Sequence, residues 1–264
     1  MGWLHEVAPA LAQLFRDVTA CDAVCVDDRF FNRHLTFTDE AGHTVPMVSV
    51  LDLIQYLEDP NVISAEEKQR ALYRLRQAGY ALVPVPPDEL EKYLRASTLD
   101  EDGQVIESAE MRILRQTLMR VRSLDMVELP TEAPFLERMQ LGCIIVLRRL
   151  WADEPLQVER VAALSDWVWS NVAPSPLDWA RALRKSLPTY DVPEAFARHL
   201  ALLLQPMPLA GKRYEAFRNW VECRILEPLL PANADLVDRL VRLERADIER
   251  LSAALSNDES GPDR

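Results

Sequence analysis

A change of hydrophobic rhythm near residue 98 constrains this chain more than any other feature. Before it, short runs rich in β-branched residues alternate with stretches of helical spacing. After it, the apolar residues recur at three and four. "DAVCV" at 22–26 and "VPMVSV" at 45–50 are predicted as buried strands and "YALVPV" at 80–85 as a third strand. "LDLIQYL" at 51–57, "NVISAEEKQRALYRLRQAGY" at 61–80 and "PPDELEKYLRAS" at 86–97 are predicted as helices. In the second of these, Ser64 is the expected N-cap, Glu67 closes the capping box and Gly79 ends the helix. The third opens on proline, which suits a first turn. A further helix is expected over 3–18, with Leu4, Val7, Leu11, Leu14 and Phe15 in helical register. Between the first two strands, "DEAGH" at 39–43 reads as a turn within a loop. Strands alternating with helices imply a parallel sheet covered by helices, so residues 1–97 are expected to form an α/β domain.

From 98 to 255 the sequence predicts an all-helical domain and no strand. Its helical stretches are 105–124, 130–154, 156–174, 176–187, 193–205, 213–230 and 234–255. Val105, Met111, Leu114 and Leu118 lie near one stripe of the first. "LGCIIVL" at 141–147 makes the second apolar enough to be interior. The pieces share no fixed period, which excludes a solenoid. Eighteen prolines against seven glycines fit punctuated helices better than flexible linkers. Trp151, Trp167, Trp169, Trp179 and Trp220 are read as packing anchors whose indole N–H finds a nearby acceptor. Arg148 and Arg149 are read as part of an ion-paired face with Asp153 and Glu154, and the last helix as a cap on the array. Residues 256–264 are expected to be a disordered tail.

The formal charge of −12 gives no global attraction to nucleic acid or to an anionic membrane. No apolar stretch reaches spanning length and no signal peptide opens the chain, so a cytoplasmic protein without a membrane partner is expected. Cys21, Cys25, Cys143 and Cys223 lack zinc-site spacing and are read as buried free thiols. His5, His34, His43 and His199 are scattered. His34 and His43 flank a loop where one could serve as a general base, though loop histidines without a role are the preferred reading. Dinucleotide, P-loop, zincin and serine-hydrolase motifs are absent from the sequence.

Asp27 and Asp28 close the first predicted strand; Ser49 and Asp52 stand at or just past the end of the second. If these strands are neighbours, the four residues converge at the carboxyl edge of the sheet, where functional groups collect. Carboxylates there suit Mg²⁺ or Mn²⁺, which take oxygen ligands, activate water and hold phosphate oxygens. A plainer reading stands beside it: Asp28 N-caps a short helix "RFFNRH", Asp52 faces solvent and Ser49 bonds locally.

Residues 20–95 resemble the C-terminal half of a PIN-like domain. A strand ends in aspartate, "VSVLDLIQYL" starts a helix, "NVIS" introduces another and "LRQAGYALV" leaves it. The resemblance implies a metal-dependent endoribonuclease with acids around Mg²⁺ or Mn²⁺, of a kind found in larger bacterial proteins, some of them in conflict or defence systems. It assigns the strand-end acid to Asp27, with Asp28 as alternative, the small hydroxyl to Ser49 and a weaker supporting acid to Asp52. Arg29, Asn32 and Arg33 would contact RNA phosphates or, equally, form an exposed polar helix face. The family's first strand and its aspartate have no counterpart here, and Glu6 fits the second acid only loosely. The expectation is therefore an incomplete PIN-like domain with weak or lost activity, or one completed by an upstream polypeptide. Its rivals are a non-catalytic regulatory or protein-interaction module and the C-terminal fragment of a longer nuclease.

Overall fold

The computed structural model describes residues 18–27, 34–58, 62–123, 133–174, 191–229, 231, 235–243 and 245–246. The helices expected over 3–18 and 176–187, Glu6, His5, Trp179 and the tail at 256–264 lie outside the described residues. The chain divides into two compact units, Met1–Leu75 and Arg76–Arg264.

In the first unit, β1 (Val24–Cys25) pairs in parallel with β3 (Thr44–Val48), Val24 opposite Met47 and Cys25 opposite Val48. The two strands predicted from the sequence are thus neighbours. A third strand, β2 (Thr36–Thr38), pairs antiparallel with β3, and the sheet runs β1-β3-β2. It is therefore mixed rather than parallel. Val24 and Val45 point inward and join Val18, with Val26 and Phe37 packed against them. Their neighbours Cys25 and Thr44 face out, as a two-residue period requires. Two helices follow, α1 (Val50–Glu58) and α2 (Ala65–Gln77).

The capping box of α2 forms as predicted. The Ser64 amide and hydroxyl donate to Glu67 Oε2 at 2.8 and 2.9 Å, and the Glu67 amide donates to Ser64 Oγ at 3.2 Å. Gly79 follows at φ +88°, a conformation only glycine adopts cheaply.

Residues 80–85 are not a strand. Pro84 removes a ladder donor, Pro86 and Pro87 follow, and Leu82 sits in the left-handed region at φ 57°. The segment instead leads irregularly, through the buried Val83, into α3 (Pro87–Ala96). Here α3 packs against α4 and α5, so residues 76–97 belong with the helical unit; the sequence placed the division after 97.

Two short strands that the sequence did not announce, β4 (Thr98–Leu99) and β5 (Val105–Ile106), form an antiparallel hairpin. Its turn, "DEDGQ", repeats the chemistry of "DEAGH" between β2 and β3. In each, the aspartate amide donates to the carbonyl four residues on at 2.9 Å, and the glycine amide returns to the aspartate carbonyl at 3.1 Å. In each, the aspartate carboxylate accepts the fifth residue's amide at 2.8 Å, and the glycine has positive φ. The hairpin takes Val105 out of the helical stripe. Ser108 then caps α4 (Ala109–Ser123) by accepting the Met111 amide at 3.2 Å.

The remaining elements are α5 (Ala133–Ala152), α6 (Val158–Asn171), α7 (Val192–Leu204) and α8 (Gly211–Val221). The last continues through a π-helical stretch, Glu222–Leu226, into Glu227–Leu229. At the centre is α5, packed against α3, α6 and α7. Cys143, Ile144, Val146, Leu147, Leu150 and Trp151 are all fully buried, as its apolar middle predicts. Each buried Ile or Leu contributes about 1.5–3 kcal/mol. Trp151 packs edge-on to Phe217 at 5.3 Å between centroids and lies 6.0 Å from Trp220. The indoles of Trp167 and Trp220 donate to Glu107 and Asp166 at 3.0 and 2.8 Å, the anchoring expected of them. Trp151 Nε1 has no acceptor among the described residues.

Three arginines cap the ends of helices distant in sequence. Arg213 donates to the carbonyls of Leu150, Trp151, Asp153 and Leu156 at 3.2, 2.6, 2.5 and 2.8 Å, closing α5. Arg148 donates to Leu202 and Gln205 at the end of α7, at 2.7 and 2.9 Å. Arg160 donates to Arg95 and Ser97 at the end of α3, both at 2.8 Å. Each cation meets the negative end of a helix dipole and satisfies carbonyls left open there. Arg149 alone follows the ion-paired expectation, and its partners are Asp88 and Glu91 of α3 at 2.5 and 3.1 Å.

A buried ion pair completes the unit. Arg76 Nη2 donates to both oxygens of Glu89 at 2.9 and 2.7 Å, and Tyr93 Oη donates to Glu89 at 2.9 Å. Both charged side chains are wholly inaccessible to solvent. Burial, then the Glu89 carboxylate, pushes the Tyr93 phenol well above its ordinary range.

Candidate functional site

The parallel pairing of β1 and β3 lifts Asp27 to the carboxyl rim of the first unit's sheet. The Val26 amide still donates to the Val48 carbonyl at 2.9 Å, so Asp27 is the first residue beyond the ladder. There Asp27 Oδ1 accepts the Val50 amide at 3.0 Å, the first residue of α1. Ser49 precedes that helix and Asp52 lies in its first turn. The Ser49 amide and hydroxyl donate to Asp52 Oδ2 at 2.8 and 2.7 Å, and the Asp52 amide donates to Ser49 Oγ at 3.2 Å. This is a second capping box, built as Ser64 and Glu67 build theirs.

The structure thus brings Asp27, Ser49 and Asp52 together at one helix N-terminus, as the strand-end reading expected. It also gives them a task there. Four amides at a helix start lack partners in the helix, and negative charge beside them is favourable. Asp27 and Ser49 satisfy two of these donors, while Asp52 takes the Ser49 amide just outside them. Asp52 is exposed and Ser49 bonds locally, as the plainer reading has it, and the Asp52 carboxylate is also half of the box. Asp28, Arg29, Asn32 and Arg33 lie outside the described residues.

Two features of the sheet have shifted ionisation, one beside the rim and the other at the opposite end of β3. The Cys25 thiol, on the outward face of β1, is pushed up by partial burial and then by the Asp27 and Asp52 carboxylates. It is held as the neutral thiol rather than a nucleophilic thiolate. None of the four cysteines is in a disulfide, as expected, but only Cys143 is buried; Cys21, Cys25 and Cys223 are exposed. The second feature is Asp39, whose side chain is 1% exposed and accepts from the Val18 amide, the His43 amide and His43 Nδ1 at 3.3, 2.8 and 3.2 Å. Burial opposes ionisation there, and the His43 and Val18 hydrogen bonds outweigh it, holding the carboxyl below its usual range. Asp39 was not singled out from the sequence. Its signal is the aspartate three residues before a turn glycine, the pattern that recurs at Asp100.

Among the described residues, the rim offers two carboxylates, Asp27 and Asp52, beside the Ser49 hydroxyl. Mg²⁺ and Mn²⁺ need several oxygens directed at one point. Among the described residues no group of three or more His, Cys, Asp or Glu could hold a metal ion, and Asp27 and Asp52 turn carboxylate oxygens toward backbone amides. Among the described residues, no helix is long and apolar enough to cross a membrane. No protein-family model, curated protein or solved structure matches the chain.

Proposed function

We propose that this chain is a non-catalytic protein-interaction module of PIN-like nuclease ancestry, in which the rim acids brace a helix instead of holding a metal. One observation carries this reading: Asp27 Oδ1 and Asp52 Oδ2 both accept backbone amides at the start of α1. A carboxylate engaged in that way is charge-compensated by the helix itself. The interaction half rests on the exposed face of α1. Leu53, Tyr56 and Leu57, at i, i+3 and i+4, form one stripe and are 38%, 70% and 36% exposed. Such a stripe suits an apolar protein partner, and the chain's charge of −12 disfavours a polyanion.

The direct test is isothermal titration of the full chain with Mn²⁺, beside Asp27→Ala, with an assay of structured-RNA cleavage in Mn²⁺. The two proteins are expected to give the same heat and no cleavage. A photo-crosslinker at Tyr56 is expected to capture a protein in cells, and one at the exposed Glu40 is not. Heat and cleavage that both vanish with Asp27→Ala, in a variant of unchanged circular dichroism, would overturn the reading. They would restore the second one, favoured by the convergence of Asp27, Ser49 and Asp52. That is a Mg²⁺- or Mn²⁺-dependent endoribonuclease using Asp27, Asp28 and Asp52 with acids from an upstream polypeptide, and Arg29, Asn32 and Arg33 on RNA.

A further inference from the structure

We draw no further inference here: the strongest candidate, the apolar groove of about 370 Å³ where the end of α7 meets α8 and its π-helical continuation, lined by Leu204, Tyr214, Phe217, Val221 and Leu226, carries nothing because no feature of the structure shows what covers it.

Discussion

Ser49 and Asp52 show how one spacing serves two chemistries. A hydroxyl and an acid three residues apart at a strand end can face a metal or close a helix, and the sequence alone does not separate these. In the structure the three hydrogen bonds between Ser49 and Asp52 are those of a capping box. Ser49→Ala is therefore expected to cost about 1 kcal/mol in urea denaturation and to leave Mn²⁺ heats unchanged. A variant as stable as the parent would remove the capping role. The convergence with Asp27 was legible, because strand ends in one sheet share an edge. The direction of the Asp27 carboxylate was not, since it depends on where the Val50 amide falls. The Arg76–Glu89 pair was equally hidden, because its partners come from different helices at no motif spacing. Glu89→Gln leaves a guanidinium in the interior without its counter-charge, and is expected to cost about 3–5 kcal/mol by the same measurement. Arg76→Met with Glu89→Leu is expected to recover most of that loss, since neither partner is then stranded. A double variant as unstable as the single one would contradict this account.

Among elements, the long helices were the most legible. An apolar stripe repeated over about four turns or more predicts α4, α5 and α6 directly, and Ser64, Glu67 and Gly79 mark both ends of α2. Short strands were less so. "YALVPV" has strand composition, but its proline and the left-handed Leu82 forbid a ladder. The β4–β5 hairpin has only two residues per strand, too few for a visible alternation. Its turn, built on Asp100 and Gly103, was the available signal. The arginine caps had none, because a single cation reaching a carbonyl 54 to 65 residues away leaves no local pattern. Arg213→Ala is expected to lower stability by about 2 kcal/mol or more, leaving two carbonyls of the last turn of α5 and two of the segment after it without their donor. Arg213→Lys is not expected to rescue it, because an ammonium cannot spread its donors as the planar guanidinium fork does. Full rescue by lysine in thermal melts would show that charge alone closes the helix.

For the whole molecule, the sequence supported an α/β part followed by a helical part, and the structure agrees in that outline. The division falls at 75 rather than 97 because α3, read as the last helix of an α/β domain, packs on α4 and α5. The sequence marks where a helix begins and ends, but not which neighbour it packs against. The helical unit also carries its own pH dependence. Burial lowers the His199 pKa against the opposing pull of Glu137. The Arg115 hydrogen bond, opposed by burial and aided by the Trp167 indole, lowers that of Glu107. In both cases the unfolded chain binds the proton more readily, so stability is complete above the unfolded pKa and falls as pH drops through the folded one. Melting temperature is expected to fall first below pH about 6.5 through His199, and again below about 4.5 through Glu107. His199→Gln should flatten the first step and Glu107→Gln the second, both measured by calorimetry; unchanged profiles would exclude these groups. The arginines at helix ends have a further consequence, in time rather than in energy. Arg148, Arg160 and Arg213 can engage only once helices far apart in the chain have docked, so these clasps are expected to form late in assembly. Contacts absent from the folding barrier act mainly on the rate of escape from the native state. They would govern how long the helical array persists once formed, with little influence on how quickly it forms.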